Sequence, residues 1–323
     1  CIREGFMPAN VGWQHQDETI GIRPLTKPRH QPVQTVLSNS FGFGGNNAAL
    51  VFGNLENRKT VKTAQPKRKL AVSGYACMTG AGGTAATLER FFQGASCQGI
   101  LAADRLTDRL PPRSVRRMKR LARMALGLST RTFEKAGAAT TSVSDVYFGT
   151  AWGALSETHD FLEKLYATKE FYTSPIDFVG SVHNAPAGQV AMRSKARGAN
   201  VAMTGGDASF EQALTAAHYL ATNGRHPVLV GGADEMHPVF SKLFDPSVPL
   251  SDTPADGGGM VLLETAGDES TLTLHPGYFA PGGEISESLQ AVVNYHAGPR
   301  AFNDQIGAVM VGIPAAHRDA FTP

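Results

Sequence analysis

The sequence predicts an α/β protein built around a layered sheet. Short apolar segments that resemble strands alternate along the chain with longer segments whose apolar residues recur at helical spacing. Apolar residues make up 42% of the chain and charged residues 18%, with 35 glycines, a composition typical of a globular protein and not of a disordered one. At 323 residues, the chain is long enough for one large domain or two.

The predicted elements of the main body follow one another from residue 70 onward. The strand-like segments share runs of apolar and β-branched residues, and they cover 70–76, 146–150, 200–204, 226–232 and 259–264. The helical segments share apolar residues three or four positions apart, and they cover 87–94, 115–137 and 208–222. This alternation predicts helices packed against the sheet.

Residues 1–53 form a smaller unit, separated from the main body by residues 54–69. In the smaller unit, Thr35–Leu37 and Ala48–Phe52 flank a glycine-rich turn, the pattern of a β-hairpin. Residues 54–69 are polar and basic without apolar periodicity, as in a solvated linker. We therefore expect a first unit at 1–53 and a second at 70–323. Because the chain opens on a cysteine and stops soon after a strand-like run, we expect both units to be incomplete.

Charge and cysteine content exclude several classes of protein. Lysine and arginine exceed aspartate and glutamate by 30 − 28 = 2, so the net charge of the chain does not favour binding to nucleic acid. Cys1, Cys77 and Cys97 form neither a CxxC pair nor a zinc spacing, so we expect no structural metal and a reducing, cytoplasmic location. No apolar run approaches the ~20 residues that cross a bilayer, so we expect no membrane partner.

Two stretches of the first unit resemble a known family. Residues 38–48, SNSFGFGGNNA, resemble the C-terminal signature of β-ketoacyl synthases, with Asn46 where the family usually has threonine. Residues 3–10, REGFMPAN, resemble the segment that leads into that signature. The first unit is thus similar to the C-terminal end of one synthase.

The second unit resembles the beginning of another synthase. The similarity rests on a strand and a helix at 70–74 and 88–94, on SVHNAPAG at 181–188, on 198–210 and on the glycine-rich turn and strand at 256–264. Residues 181–188 resemble the chain-length-factor-like branch of the family. The resemblance implies a thiolase-like layered αβαβα fold, incomplete at both ends.

The family's chemistry implies a nucleophilic cysteine at a helix N-terminus, where unpaired N–H groups stabilise a thiolate that carries the acyl group. Along residues 198–207, the position of that cysteine falls on Asp207, and a slip of one residue exchanges it only for Gly206 or Ala208. None of these residues is a thiol. We therefore expect a pseudo-active site, comprising Gly206, Asp207, His183 and Asn184, and a second unit that does not condense acyl groups itself.

Two roles remain open for Asp207. One is to cap or charge the first turn of the helix at 208–222, where an acid contributes roughly 0.3 to 1 kcal/mol against the helix dipole. The other is to stand in for the nucleophile as a hydrogen-bonding group that shapes an acyl channel. His183 is the only histidine in a family-like motif, and a structural role is expected for it in the absence of a nucleophile.

In the first unit, the resemblance implies a gating and oxyanion-binding loop. Phe43 matches the family's gating phenylalanine, and the glycines around it let the backbone approach a ligand. The loop comprises Phe41, Gly42, Phe43, Gly44 and Gly45. Any cysteine and histidines of that unit would precede Cys1, so the chain by itself is not expected to catalyse condensation.

Other residues that carry reactive groups have no assigned role. Cys77 and Cys97 lack a positioned base, and buried free cysteines usually behave as small apolar residues. His275, His296 and His317 lie where the resemblance is too weak to transfer a role. We expect no metal and no cofactor.

The resemblance implies a part in fatty-acid or polyketide chain elongation, with an acyl carrier protein and a ketosynthase subunit or unit as partners. The basic run 113–123 could offer charge to an acidic carrier protein, but a solvated helix face is the more usual meaning of such a charge run. Two alternatives remain. In the first, the second unit is a scaffold that completes a dimer-like interface. In the second, the glycine-rich loop 79–85, with Asp104 about 20 residues further along the chain, binds a dinucleotide.

Overall fold

The computed structural model divides the chain into two compact units, Cys1–Pro66 and Lys67–Pro323. Each unit is described by itself. The structure describes residues 1–41, 47–54, 70–137, 143–171, 174–220, 227–244, 255–266 and 273–274.

The first unit contains two antiparallel strand pairs. Strand β1 (Phe6–Met7) pairs with β2 (Arg29–His30), and β3 (Thr35–Phe41) pairs with β4 (Asn47–Gly53). The second pair confirms the predicted hairpin; its first strand is four residues longer than predicted, and its second strand is one residue longer at each end. Its apolar side chains stay exposed, with 60% of Leu37 accessible to solvent, so the described part of this unit does not bury the hairpin.

The second unit alternates strands and helices as the sequence predicts. Its elements in chain order are β5 (Leu70–Met78), α1 (Thr84–Phe92), α2 (Ala103–Thr107), α3 (Pro112–Val115), α4 (Arg120–Lys135), β6 (Asp145–Gly149), α5 (Leu155–Ala167), α6 (Pro175–Ser181), α7 (Ala185–Arg193), β7 (Asn200–Met203), α8 (Ser209–Leu220), β8 (Val228–Asp234), α9 (Ser241–Phe244), β9 (Gly257–Thr265) and β10 (Thr273–Leu274).

Six strands of the second unit form one mixed sheet in the order β10-β5-β9-β8-β6-β7. Strands β8, β6 and β7 are parallel, whereas β9 runs antiparallel to both of its neighbours. Helices α4 and α7 cover one face, and α8 covers the other. The α/β prediction is confirmed, and the described residues supply a sheet between two helix layers.

Alternating side chains bury both faces of the sheet. On β6, Phe148 joins the core beneath α4 and α7, while its neighbour Tyr147 joins the core beneath α8. Leu262 and Leu263 on β9 divide between the two cores in the same way. Because consecutive strand residues point to opposite faces, apolar runs of this kind specify a strand covered on both sides.

The helix predicted at 115–137 begins five residues later in the structure, as α4. Helix α3 ends at Val115 and α4 begins at Arg120, and Lys119 between them has extended backbone. The Lys119 backbone N–H donates a hydrogen bond to the carboxylate of Glu157 (2.9 Å), so this amide points toward α5. A long-range contact therefore sets the start of α4.

The surroundings of β5 contradict the dinucleotide-binding alternative. Within the described sheet, both neighbours of β5 are antiparallel to it, whereas dinucleotide folds need a parallel βαβ unit at this point. Asp104, the expected ribose-binding acid, lies within the short helix α2 and not at a strand end. Among the described residues, no helix is both long and apolar enough to cross a lipid bilayer.

Candidate functional site

A cleft of about 380 Å³ opens where β6 and β8 end and α8 begins. The carboxyl ends of parallel strands commonly form such sites in α/β proteins. Six of the twelve residues that line the cleft are glycines, and its charged groups are the carboxylates of Asp207 and Asp234. The lining residues are Gly149, Ala151, Gly206, Asp207, Ser209, Phe210, Gly232, Ala233, Asp234, Gly257, Gly258 and Gly259.

The glycines let three backbone segments approach one another at the bottom of the cleft. A Cβ atom on Gly149 would lie 2.5 Å from the backbone carbonyl of Ser209, so α8 begins directly against the end of β6. A side chain on Gly258 would collide with the carbonyl oxygen of Gly232 on the adjacent strand. Any larger residue at these positions would force the strands and the helix apart.

Asp207 stands on the turn that leads into α8. Gly206 has a φ of +60°, which glycine adopts without strain, and the Ser209 hydroxyl donates a hydrogen bond to its carbonyl oxygen (2.6 Å). The same hydroxyl accepts a hydrogen bond from the Gly205 N–H (2.9 Å). The turn therefore presents the Asp207 carboxylate, which is exposed, two residues before the first residue of the helix.

The capping role expected for Asp207 is only partly matched by this arrangement. The helix begins at Ser209, and Ser209 supplies the hydrogen bonds of the turn. Among the described residues, no backbone N–H of the first turn donates to the Asp207 carboxylate. Its charge still lies beside the positive end of the α8 dipole, where an acid is favourable.

Asp234, which the sequence reasoning missed, ties the opposite wall of the cleft together. Its carboxylate accepts hydrogen bonds from the Thr150 hydroxyl (2.8 Å) and from the backbone N–H groups of Ala151 (2.7 Å) and Trp152 (3.4 Å). Burial raises the pKa of Asp234, and the nearby charge of Asp207 raises it further. The signal in the sequence is an acid at the end of a buried parallel strand.

A second set of buried charges lies behind the cleft. The Glu235 carboxylate accepts hydrogen bonds from the backbone N–H (2.9 Å) and the hydroxyl (2.6 Å) of Ser156, and burial raises its pKa. Arg120 pairs with Asp256, whose side chain is fully buried and also accepts a hydrogen bond from the Leu101 N–H (2.7 Å). The pair of Arg120 and Asp256 joins the loop before β9 to the start of α4.

His183 and Asn184, predicted to belong to the pseudo-active site, form the turn between α6 and α7. The exposed His183 ring packs against Gly153, where a Cβ atom would lie 2.6 Å from its Cδ2. Asn184 precedes α7 without a capping hydrogen bond from its side chain. Neither residue lines the cleft that contains Gly206 and Asp207.

The gating loop predicted in the first unit lies almost wholly outside the described residues. Phe41 is the last residue of β3, and 78% of it is accessible to solvent. Gly42, Phe43, Gly44 and Gly45 lie outside the described residues, as do His275, His296 and His317. Their predicted roles stay predictions.

Cys77 and Cys97 lie away from the cleft. Cys77 is on β5, where its backbone N–H donates to the Thr84 hydroxyl (3.0 Å), and burial raises the pKa of its thiol. Cys97 contacts the Thr87 carbonyl oxygen (3.6 Å). Neither thiol is among the residues that line the cleft.

One group in the described part of the chain brings together three side chains of metal-binding type. His159, Asp160 and Glu163 on α5 each place a ligand atom within 4.8 Å of the others. Asp160 already pairs with Lys119.

Solved structures of similar fold are ketosynthases and their partners. The chain is 24% identical to "The ishigamide ketosynthase/chain length factor" (TM-score 0.53), covering 63% of this chain and 64% of that one. It is 21% identical to a ketosynthase in complex with its chain length factor from Xenorhabdus doucetiae (TM-score 0.50; 62% and 80% covered). It is 16% identical to a type II PKS acyl-carrier protein in complex with its ketosynthase bound to the hexaketide (TM-score 0.58; 74% and 75% covered). At these identities the likeness shows the fold, and the chain spans less than two thirds of the first of these structures.

The sequence itself matches a family profile over more than half of its length. The family is described as "Beta-ketoacyl synthase, N-terminal domain", and the match covers residues 97–291. This range contains the cleft residues from Gly149 to Gly259 and the turn that carries Asp207. The chain therefore belongs to the β-ketoacyl synthase family.

Proposed function

We propose that the chain is part of a β-ketoacyl-[acyl-carrier-protein] synthase system that elongates fatty-acid or polyketide chains. In this system the second unit is a chain-length-factor-like partner that does not condense acyl groups. The first unit corresponds to the C-terminal end of a ketosynthase. The observation that carries the proposal is the placement of Asp207, an acid and not a thiol, at the start of α8 in the cleft.

The geometry around Asp207 supports the assignment of the site. The turn 205–208 presents residue 207 to solvent at the N-terminus of a 12-residue helix, where a thiolate would be stabilised. A carboxylate at this place cannot hold an acyl group as a stable thioester. The cleft thus keeps the shape of a nucleophile site but lacks the nucleophile.

Partners of this system are an acyl carrier protein and a ketosynthase subunit or unit. The relatives of known structure include complexes of both kinds, which supports the proposal. The basic surface available to an acidic carrier protein is smaller than the sequence indicates. Arg113, Arg116 and Arg117 are exposed, but Arg120 pairs with the buried Asp256, and Arg123 is half-buried.

A gain-of-function variant tests whether position 207 is the site of the missing nucleophile. In Asp207→Cys, the new thiol lies at the N-terminus of α8, so we expect it to take an acyl group from an acyl-carrier thioester and form a stable acyl-enzyme. Mass spectrometry of the peptides measures the product, with Cys77 of the same chain as internal reference. Asp207→Ser is the matched control and should carry no thioester. A folded Asp207→Cys protein without label at residue 207 would contradict the assignment.

A further inference from the structure

A second cavity, of about 390 Å³, lies away from the Asp207 cleft, among the start of α4 and helices α5, α6 and α7. Apolar side chains form much of its wall, among them Met118, Ala122 and Val179. Glu157 on α5 also lines it, and we call it the Glu157 cavity. Its volume lies within the range of sites that hold small organic molecules.

Glu157 is buried without a complete set of hydrogen-bond partners. Only 9% of the residue is accessible to solvent. Its Oε1 atom accepts the hydrogen bond from the Lys119 N–H (2.9 Å), but within the described residues no group donates to its buried Oε2 atom. A buried carboxylate oxygen without a donor is unfavourable, so the site favours a ligand that donates to it.

Two of the three cations that line the cavity are paired with acids, and the third, Arg117, is exposed. At the rim, Lys119 pairs with Asp160, and Lys164 pairs with Asp177 (2.6 Å), so each lysine is balanced by an acid. Deeper inside, Glu157 lies close enough to Glu235 for the two charges to repel each other.

The arginine at the start of α4 does not neutralise these two acids. Arg120 attracts the Glu235 carboxylate, but its guanidinium already pairs with Asp256. Among the described residues that line the cavity, Glu157 is the one charged group that is buried, whereas the cations Arg117, Lys119 and Lys164 are exposed at the rim. A ligand cation would pair with the Glu157 carboxylate and donate to its Oε2 atom at once.

We propose that the Glu157 cavity binds a small primary amine. The apolar body of the ligand lies among Met118, Ala122 and Val179, and its ammonium group donates a hydrogen bond to the Glu157 carboxylate. The apolar wall accepts the carbon skeleton, and the buried, unpartnered carboxylate oxygen selects the charge. The site is independent of the condensation chemistry proposed for the Asp207 cleft.

Calorimetric titration with 2-phenylethylamine at pH 8 tests the proposal directly. A primary ammonium stays protonated at this pH. We expect saturable binding to the unmodified chain and weaker binding of 2-phenylethanol, which has the same body without the charge. Glu157→Gln should weaken amine binding by about tenfold or more, equivalent to ~1.4 kcal/mol. Glu163→Gln, an exposed acid on the same helix, should leave it unchanged.

A second variant tests whether the ligand lies in the cavity and leaves the Glu157 carboxylate unchanged. Val179→Phe fills the apolar wall and should abolish amine binding while the chain remains folded by circular dichroism. The proposal is overturned if the amine shows no saturable binding at concentrations up to about 10 mM, because any affinity would then be weaker than a binding free energy of ~3 kcal/mol. Equal affinities of the unmodified chain and Glu157→Gln would overturn it as well. If Val179→Phe does not fold, the Glu157→Gln comparison decides.

Discussion

At the scale of single residues, buried carboxylates give the second unit its electrostatic character. Glu157, Asp234 and Glu235 all have a pKa raised by burial, and each is held by hydrogen bonds from another segment of the chain. The pKa of Glu157 rises to about 7, first through burial and second through the charge of Glu235. Such a group carries a proton in the folded state at a pH where the unfolded chain has lost it.

This shift predicts how stability depends on pH. Because the folded-state pKa of Glu157 lies above its unfolded value of 4.5, its stabilising contribution is present below pH 4.5 and is lost as the pH rises through about 7. Glu157→Gln stays neutral, so its free energy of unfolding relative to the unmodified chain should rise between pH 5 and pH 8, by on the order of 2 kcal/mol. Urea unfolding at both pH values measures this. An identical pH dependence in both proteins would show that Glu157 is ionised in the fold at pH 5.

The sequence predicts these residues unequally. Asp207 is found through the resemblance of residues 198–210 to the family's nucleophile region, and the turn and the helix that carry it are local. The sequence marks Asp234 only as an acid at the end of a buried strand, and it does not mark Glu157. Their burial depends on hydrogen bonds from Thr150 and Lys119, which lie 84 and 38 residues away along the chain.

At the scale of elements, close packing of α4 organises one face of the sheet. Leu121, Met124 and Leu128 on this helix are fully buried, at the spacing that the sequence predicts. Gly127 lets α2 approach, because a Cβ atom there would overlap the carbonyl oxygen of Leu106. The sequence indicates the buried stripe but not this approach, which depends on where α2 docks.

Gly127→Ala tests this packing. Ordinarily, replacing a glycine inside a helix by alanine stabilises the protein by roughly 0.5–1 kcal/mol. At Gly127 the overlap should reverse the sign and lower the free energy of unfolding by about 1–3 kcal/mol. The matched control is Gly188→Ala in α7, where a Cβ atom would meet nothing within 4 Å. If both variants gain stability in chemical unfolding, α2 does not pack against α4 as described.

At the scale of the whole molecule, the second unit is a synthase-type sheet whose cleft lacks a thiol. The alternation of apolar segments predicts its strands, but not that β9 enters the sheet between β5 and β8 with antiparallel direction. That order depends on pairing between strands nearly 200 residues apart, such as Leu70 with Thr265, which no local pattern encodes. The family match and the fold agree on the kind of protein, while the proposal that this unit does not condense acyl groups depends on Asp207.

Acyl-enzyme mass spectrometry on the unmodified chain tests this claim most directly. The chain is offered a labelled acyl group as its carrier-protein thioester, and the label is mapped by peptide. Without a nucleophile in the cleft, we predict no label on any residue after Lys69, including Cys77 and Cys97. A label on Cys77 or Cys97 would contradict the account, because the second unit would then carry acyl groups through a thiol outside the Asp207 cleft.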